Sequence, residues 1–378
     1  MRLGNYVEEL DKYQVIQQIG EDAFFIKFLI ETKPIISQEK QYFLAKNLKI
    51  PIIKKNEQAQ FLNLMNFIIE EKHPSIIKLL GFNLFTVDGQ PFPTSISEYY
   101  HSTLCGRLWE ETNGKHHPLW TSTKKFICIF GIAMIIKCFH SKNIFLNGID
   151  PANIYLDEHF YPKIDALNYS LHLPSNVLNN LDCEKEERND FERNSSTDQG
   201  HNDISSFAFI TYHILKKEDS NFIEEISINE SINANGITNE YHLALLGKCV
   251  DTESTPIEKI EKIIGFLLEH KNDDLFFNDL NYAEINEYVM NILEFMNDKI
   301  DFYSPIALYY IAMSYLNGIG VPKDMGKFRK YRVSGNVMSL SIIKSFLISH
   351  FFLISISKYV VSIGINNFFQ SILPFCKN

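Results

Sequence analysis

The spacing of hydrophobic positions changes along the chain, and the change divides it. From Tyr13 to Ile30 (YQVIQQIGEDAFFIKFLI), β-branched and aromatic residues flank one polar turn, which predicts two strands. Tyr42 to Leu48 (YFLAKNL) predicts a third. Gln58 to Glu71 instead places Phe61, Leu64, Met65 and Ile68 at helical spacing, and His73-Pro74 ends that helix. SIIKLLGFNLF then predicts a strand pair, and Ser95 to Tyr100 a further strand. Helical spacing dominates from here. Thr103 to Glu111 starts a helix, and Thr121 to Phe139 is apolar almost all round, which predicts a buried one. A tight turn, a short apolar strand and a polar loop follow, then strands over Asn153 to Leu156 and Tyr161 to Leu167. Short strands around one polar loop usually present that loop to a ligand.

The segment from Leu181 to Asn202 is charged and poor in apolar residues, which predicts a loop. Helices are expected over Asp203 to Leu215, Tyr241 to Val250 and Ile257 to His270. Asn272 to Asp301 is acidic, with a helical pattern through Ile285, Tyr288, Val289, Ile292, Leu293 and Phe295. A helix over Pro305 to Leu316, a glycine turn, and a second helix opening near Pro322 and Asp324 come next. Ser339 to Leu373 is strongly apolar, but only 13 residues separate Lys344 from Lys358. That is short of the roughly 20 a spanning helix needs. A helix packed on the preceding hairpin, a marginal membrane anchor through 339–365 and a degenerate reading frame all remain open, the anchor not being the favoured one.

The length of 378 residues allows one large domain plus an extra module. The net charge of -10 and the scattered Lys and Arg argue against a nucleic-acid or anionic-membrane surface. The six cysteines form no CxxC pair and no His cluster has ligand spacing, which argues against a zinc site. The start, MRLGNYVEELDKY, lacks an apolar signal core, so the expected location is the reducing cytoplasm.

Several segments, in this order, resemble the eukaryotic protein kinase family across about 13–270: FLNLMNFIIEEKHPSIIKLLGF, SISEYY, NIFLNGIDPANIYLDEHFYPKIDALN and DISSFAFITY. The resemblance implies an α+β, two-lobed protein-kinase-like fold. Its small β-rich lobe would span 13–95, its hinge 96–102 and its large helical lobe 103–270. Residues 271–303 would be a helical connector. Ala307, Ala312, Tyr315, Gly318, Gly320, Val321, Asp324 and Tyr331 resemble a Sel-one-like repeat, a tetratricopeptide-like helical hairpin over 304–334. One such repeat cannot bury its own face, so a second copy is expected, yet none follows before the apolar segment 335–378.

The family's chemistry carries over incompletely. Of the glycine-rich loop only Gly20 survives; Asp22 and Phe25 replace later glycines, and Lys27 matches the valine that lies over adenine. Glycines there let backbone N–H groups approach phosphates, whereas an aspartate repels them. Lys46 matches the phosphate-holding strand lysine, and its glutamate partner falls on Leu64. In the span matching His-Arg-Asp-Leu-Lys-Pro-x-Asn, the arginine is Asn147, the proton-accepting aspartate is Gly148 and the lysine is Asp150. Pro151 and Asn153 remain. Asn153 either ligates a metal or caps its own loop. The metal-loop triplet falls on Ala166-Leu167-Asn168, or on Asp165-Ala166-Leu167 with one deletion.

The resemblance thus implies ATP and Mg²⁺ as cofactors, with Gly20, Lys46, Glu98, Tyr100 and Asn153 toward nucleotide and Asn153 and Asp165 toward metal, while the replaced residues leave neither cofactor assigned. It gives Asp203 a structural role, holding the loop backbone. The expected function is a pseudokinase scaffold with protein partners, acting through the kinase-like surface and the helical repeat, and without nucleic acid. The alternatives are an atypical active serine/threonine kinase using Asp150 and Asp165, and a decayed gene product.

Overall fold

The computed structural model describes residues 9–22, 24–33, 41–49, 51, 61, 65, 68–69, 72–86, 89–142, 144–146, 148–169, 196–216, 237–251, 253–296 and 305–334. Leu64, Asn147, most of the polar stretch 181–202 and the apolar stretch 339–373 lie outside these residues. The protein is α+β, with a β-sheet region first and a helical region after it.

The sheet uses β1 (Tyr13–Glu21), β2 (Phe25–Thr32), β3 (Tyr42–Leu48), β4 (Leu79–Asn83) and β5 (Thr94–Glu98). All neighbours are antiparallel, in the order β1-β2-β3-β5-β4. The central β3 buries Leu44, Ala45 and Leu48. Phe61, Met65 and Ile68 are helical and buried, as their spacing predicts.

A small antiparallel ribbon joins the two regions. It pairs β6 (Ser102–Thr103), β7 (Ile154–Leu156) and β8 (Pro162–Ile164) in that order. Ile164 N–H donates to Ser75 O at 2.7 Å, and Ile77 N–H donates to Ile164 O at 2.9 Å. The ribbon is therefore stitched to the segment that leads into β4. Two expectations are corrected here. The short apolar strand expected ahead of the polar loop does not form, 144–146 being irregular, and the strand expected over Tyr161 to Leu167 runs only from Pro162 to Ile164 before a helical turn, Ala166–Tyr169.

Besides that short turn, eight longer helices follow among the described residues: α1 (Leu104–Thr112), α2 (Ser122–His140), α3 (Ser196–Leu215), α4 (Glu240–Val250), α5 (Pro256–His270), α6 (Tyr282–Phe295), α7 (Pro305–Asn317) and α8 (Met325–Ser334). Polar caps set several starts. Thr103 accepts from Gly106 N–H, and Thr255 with Glu258 forms a capping box ahead of α5. The polar run Ser196 to Asn202, expected as loop, forms the first turns of α3.

Helix α2 lies at the centre, packed by α3, α5, α6 and β8. Its near-continuous apolar surface is the sequence consequence of being covered on all sides. Gly131 marks the tightest approach. A Cβ there would meet Tyr288 Oη at 2.5 Å and Pro162 Cγ at 2.7 Å. Tyr288 Oη itself bonds Ser75 Oγ at 2.8 Å, so it is not free to move aside.

The terminal hairpin packs against the same body. Tyr315 and Tyr331 stack with ring centroids 5.7 Å apart, and Lys327 Nζ donates to Tyr315 Oη at 2.9 Å. Gly318 and Gly320 adopt φ of 73° and 71° in the turn. Gly320 also lies against the backbone of Asn286, leaving no room for a side chain. Helix α6, within the stretch read as a connector, is thus buried between α2 and α7 and supplies the packing partner a lone hairpin needs. Among the described residues no helix is long and apolar enough to cross a membrane.

Alanine in place of glycine inside an exposed helix stabilises by up to about 1 kcal/mol. Gly131→Ala is expected to do the reverse, lowering stability by about 1–3 kcal/mol through overpacking. A urea denaturation midpoint decides the sign.

Candidate functional site

The residues of the candidate site gather where the sheet meets the ribbon. Lys46 extends from β3 and is 2% exposed. Its Nζ forms an ion pair with Asp165, itself 5% exposed at the end of β8. The Lys46 ammonium also lies 5.4 Å from the centre of the Phe25 ring. Burial pushes the Lys46 ammonium well below the usual lysine range, the nearby Lys27 charge adds to this, and Asp22 opposes it. Asp165 is the carboxylate that compensates this buried cation.

Lys27 faces Lys46 directly across the β2–β3 ladder. Its Nζ donates to Asn153 Oδ1 at 3.0 Å and pairs with Asp22 Oδ2 at 3.1 Å. Asp22 closes the β1–β2 turn. Its Oδ1 accepts the N–H groups of Phe24 and Phe25 at 2.9 and 2.8 Å. Burial raises the Asp22 carboxyl, but Lys27 and the two backbone donors together hold it below the ordinary aspartate value. Gly20 pairs with Lys27 on the opposite strand, and no atom crowds its missing side chain.

The polar loop below is shaped from one point. Asp203, fully buried on α3, accepts Leu146 N–H at 2.9 Å and Gly148 N–H at 2.8 Å. His140 Nε2 lies 2.7 Å from the same carboxylate. The short apolar strand expected here is absent because Leu146 N–H goes to Asp203 and Ile144 N–H to Phe139 O at 3.0 Å, not to a neighbouring strand. Gly148 has φ of 97°, a left-handed conformation that favours glycine, and its missing Cβ would lie 3.2 Å from Ser206 Oγ. Asp150 Oδ1 accepts Ala152 N–H at 2.7 Å, capping the turn Pro151–Asn153. The loop cap is therefore Asp150, and the Asn153 side chain reaches the sheet. Asp165 N–H donates to Asn153 O at 3.3 Å, tying the two expected metal-side residues to each other.

The remaining expected residues sit at the edge. Tyr100 Oη donates to Glu98 Oε2 at 2.6 Å, which together with burial raises the Tyr100 hydroxyl above its ordinary value. Beside them Leu44, Ile77 and Tyr155 form a buried cluster that Tyr99 and Tyr100 cover. Lys46, Asn153 and Asp165 are thus brought together, with Asp203 beneath them, while Glu98 and Tyr100 stay at the rim. Lys27, Asp22 and Tyr155 were not expected as site residues. Lys27 joins Lys46 on one face because the β2–β3 register sets the two directly opposite, a pairing that side-chain alternation alone does not give.

Among the described residues no group of three or more His, Cys, Asp or Glu could hold a metal ion. A separate cavity of about 370 Å³ opens away from this site, between α1 and the start of α2, lined by Arg107, Glu111, His117, Trp120 and Lys125 among others.

No family model matches the chain. Over 93 residues, 24% of this chain, it is 32% identical to Interleukin-1 receptor-associated kinase-like 2 of Rattus norvegicus. The match spans 14% of that protein. The relation of this chain is therefore to a kinase-like protein, over about a quarter of its own length.

The buried pair sets a test of its own. Lys46→Met strips Asp165 of its cation and is expected to cost about 3–5 kcal/mol, whereas Lys46→Met with Asp165→Leu costs less than the single change. Chemical denaturation of both variants checks the order.

Proposed function

We propose that this chain is a pseudokinase: a two-lobed, protein-kinase-like body whose cleft is organised for structure and not for phosphoryl transfer. One observation carries the reading. The two oxygens that the resemblance directs toward metal, Asn153 Oδ1 and Asp165 Oδ2, each accept from a lysine of this chain, Lys27 and Lys46. A cation already beside each oxygen repels Mg²⁺, so this donor set does not fit the ion.

Further features support it. The position matching the proton-accepting aspartate is Gly148, whose φ of 97° strains any L side chain. An active kinase using Asp150 in its place is disfavoured, because Asp150 Oδ1 is engaged by Ala152 N–H within its own turn. Leu44, Ile77 and Tyr155, covered by Tyr99 and Tyr100, fill space behind the segment matching the hinge. The buried carboxylate of Asp203 holds the loop whether or not it reacts.

The activity left to such a body is association. The rat relative is receptor-associated by name. For this chain we infer protein partners in signalling, met by the kinase-like surface and by a Sel-one-like hairpin carried rigidly on α6.

Purified protein is expected to transfer no γ-phosphate to a generic protein substrate and to shift its melting temperature by less than about 1 °C with saturating ATP and Mg²⁺. Gly148→Asp is expected not to create activity. Transfer that requires Mg²⁺ and disappears in Lys46→Ala would overturn the reading.

A further inference from the structure

The Asp22–Lys27 pair ties the β1–β2 turn to the loop below the sheet. Asp22 Oδ1 takes two successive backbone N–H groups of the β1–β2 turn, at 2.9 and 2.8 Å, and its other oxygen meets an ammonium at 3.1 Å. Paired backbone donors beside a lysine are what anion-binding turns offer a phosphate. Here the anion belongs to the chain. The same ammonium continues to Asn153 Oδ1, 126 residues away in sequence, and so crosses from the sheet to the loop. Lys46 makes a parallel crossing to Asp165 one strand further in.

The geometry points to an internal surrogate: the Asp22 carboxylate and Lys27 ammonium stand in the cleft in place of a ligand's phosphate and its cation, and hold sheet and loop together with no ligand bound. This rests on the kinase-like reading of the cleft and deepens it, since it says what replaced the nucleotide. A plain turn-capping aspartate would satisfy the Phe24 and Phe25 donors but would need no cation reaching Asn153. Lys27 links the two jobs. It is mostly buried, and β2 places it directly opposite Lys46, so two ammonium groups face one cleft. Lone ammonium groups so placed repel each other. Asp22 and Asp165 are what make the arrangement neutral.

Neutralising or removing Asp22 then leaves two turn N–H groups and the Lys27 ammonium without that carboxylate, with the Lys46–Asp165 pair behind them, a set suited to a polyphosphate with no divalent metal. The probe is inorganic tripolyphosphate, added in EDTA to the full chain and read by thermal shift. Wild type is expected to move by less than about 1 °C, and Asp22→Ala by about 5 °C or more at saturation. Asp22→Asn keeps an oxygen for the turn and removes the charge, so it is expected to shift in the same direction by less. Adding Lys27→Met to Asp22→Ala is expected to abolish the shift. Wild-type binding as strong as that of Asp22→Ala overturns the inference, as does the absence of a shift in Asp22→Asn with native far-UV circular dichroism. Asp22→Asn decides the matter if Asp22→Ala does not fold. Neither result touches the proposed lack of phosphotransfer, which falls only if wild type transfers phosphate from ATP with Mg²⁺.

Discussion

A carboxylate with no solvent contact, Asp203, sets the geometry on which the rest depends. Burying that charge is costly unless donors surround it. Leu146 N–H, Gly148 N–H and His140 supply the contacts. Because those donors come from one loop and from the last residue of α2, satisfying Asp203 pins the loop to the helical core. The loop then has no freedom to pair as a strand. It turns through Gly148 in a left-handed conformation and delivers Asn153 and, through β7 and β8, Asp165 to the underside of the sheet.

What meets them there is positive charge from two neighbouring strands. Lys46 and Lys27 face each other across the β2–β3 ladder, and each crosses to a different residue of the loop and ribbon. Each crossing closes a long stretch of chain and engages a side-chain oxygen of the loop or ribbon with a lysine of the sheet. The same contacts join the sheet to the loop and ribbon below it. On the far side α6 performs a comparable joining role. It is buried against α2 and carries the terminal hairpin through Gly320 and the Lys327–Glu294 pair at 3.0 Å.

Much of the fold was legible where burial decides structure. The run Tyr42 to Leu48 and the near-continuous apolar surface of Thr121 to Phe139 marked β3 and α2, since a central strand and a central helix must each be covered. Legibility failed where a side chain competes with the backbone pattern. Ile144 to Leu146 looks like a strand until its amide is taken by Asp203. Ser196 to Asn202 looks like loop because the first turns of α3 need few apolar residues. In the site, resemblance in spacing singled out Lys46, Asp165 and Asp203, and the structure pairs the first two with each other. It did not single out Lys27, whose importance lies in which strand neighbours it, and Asp150 rather than Asn153 took the cap because only the geometry of the turn distinguishes two nearby polar side chains.

On the proposed reading, Lys27 and Lys46 with their oxygen partners take the place of a ligand between sheet and loop. Amide hydrogen exchange, measured on the full chain with and without ATP and Mg²⁺, tests it most directly. Strong protection is expected at Leu146 and Gly148 in both conditions, with no change on adding nucleotide from Glu21 to Lys27 or from Gly148 to Leu156. Exchange slowed by about tenfold or more in those two stretches when nucleotide is added would show that a ligand completes the cleft, and would contradict it.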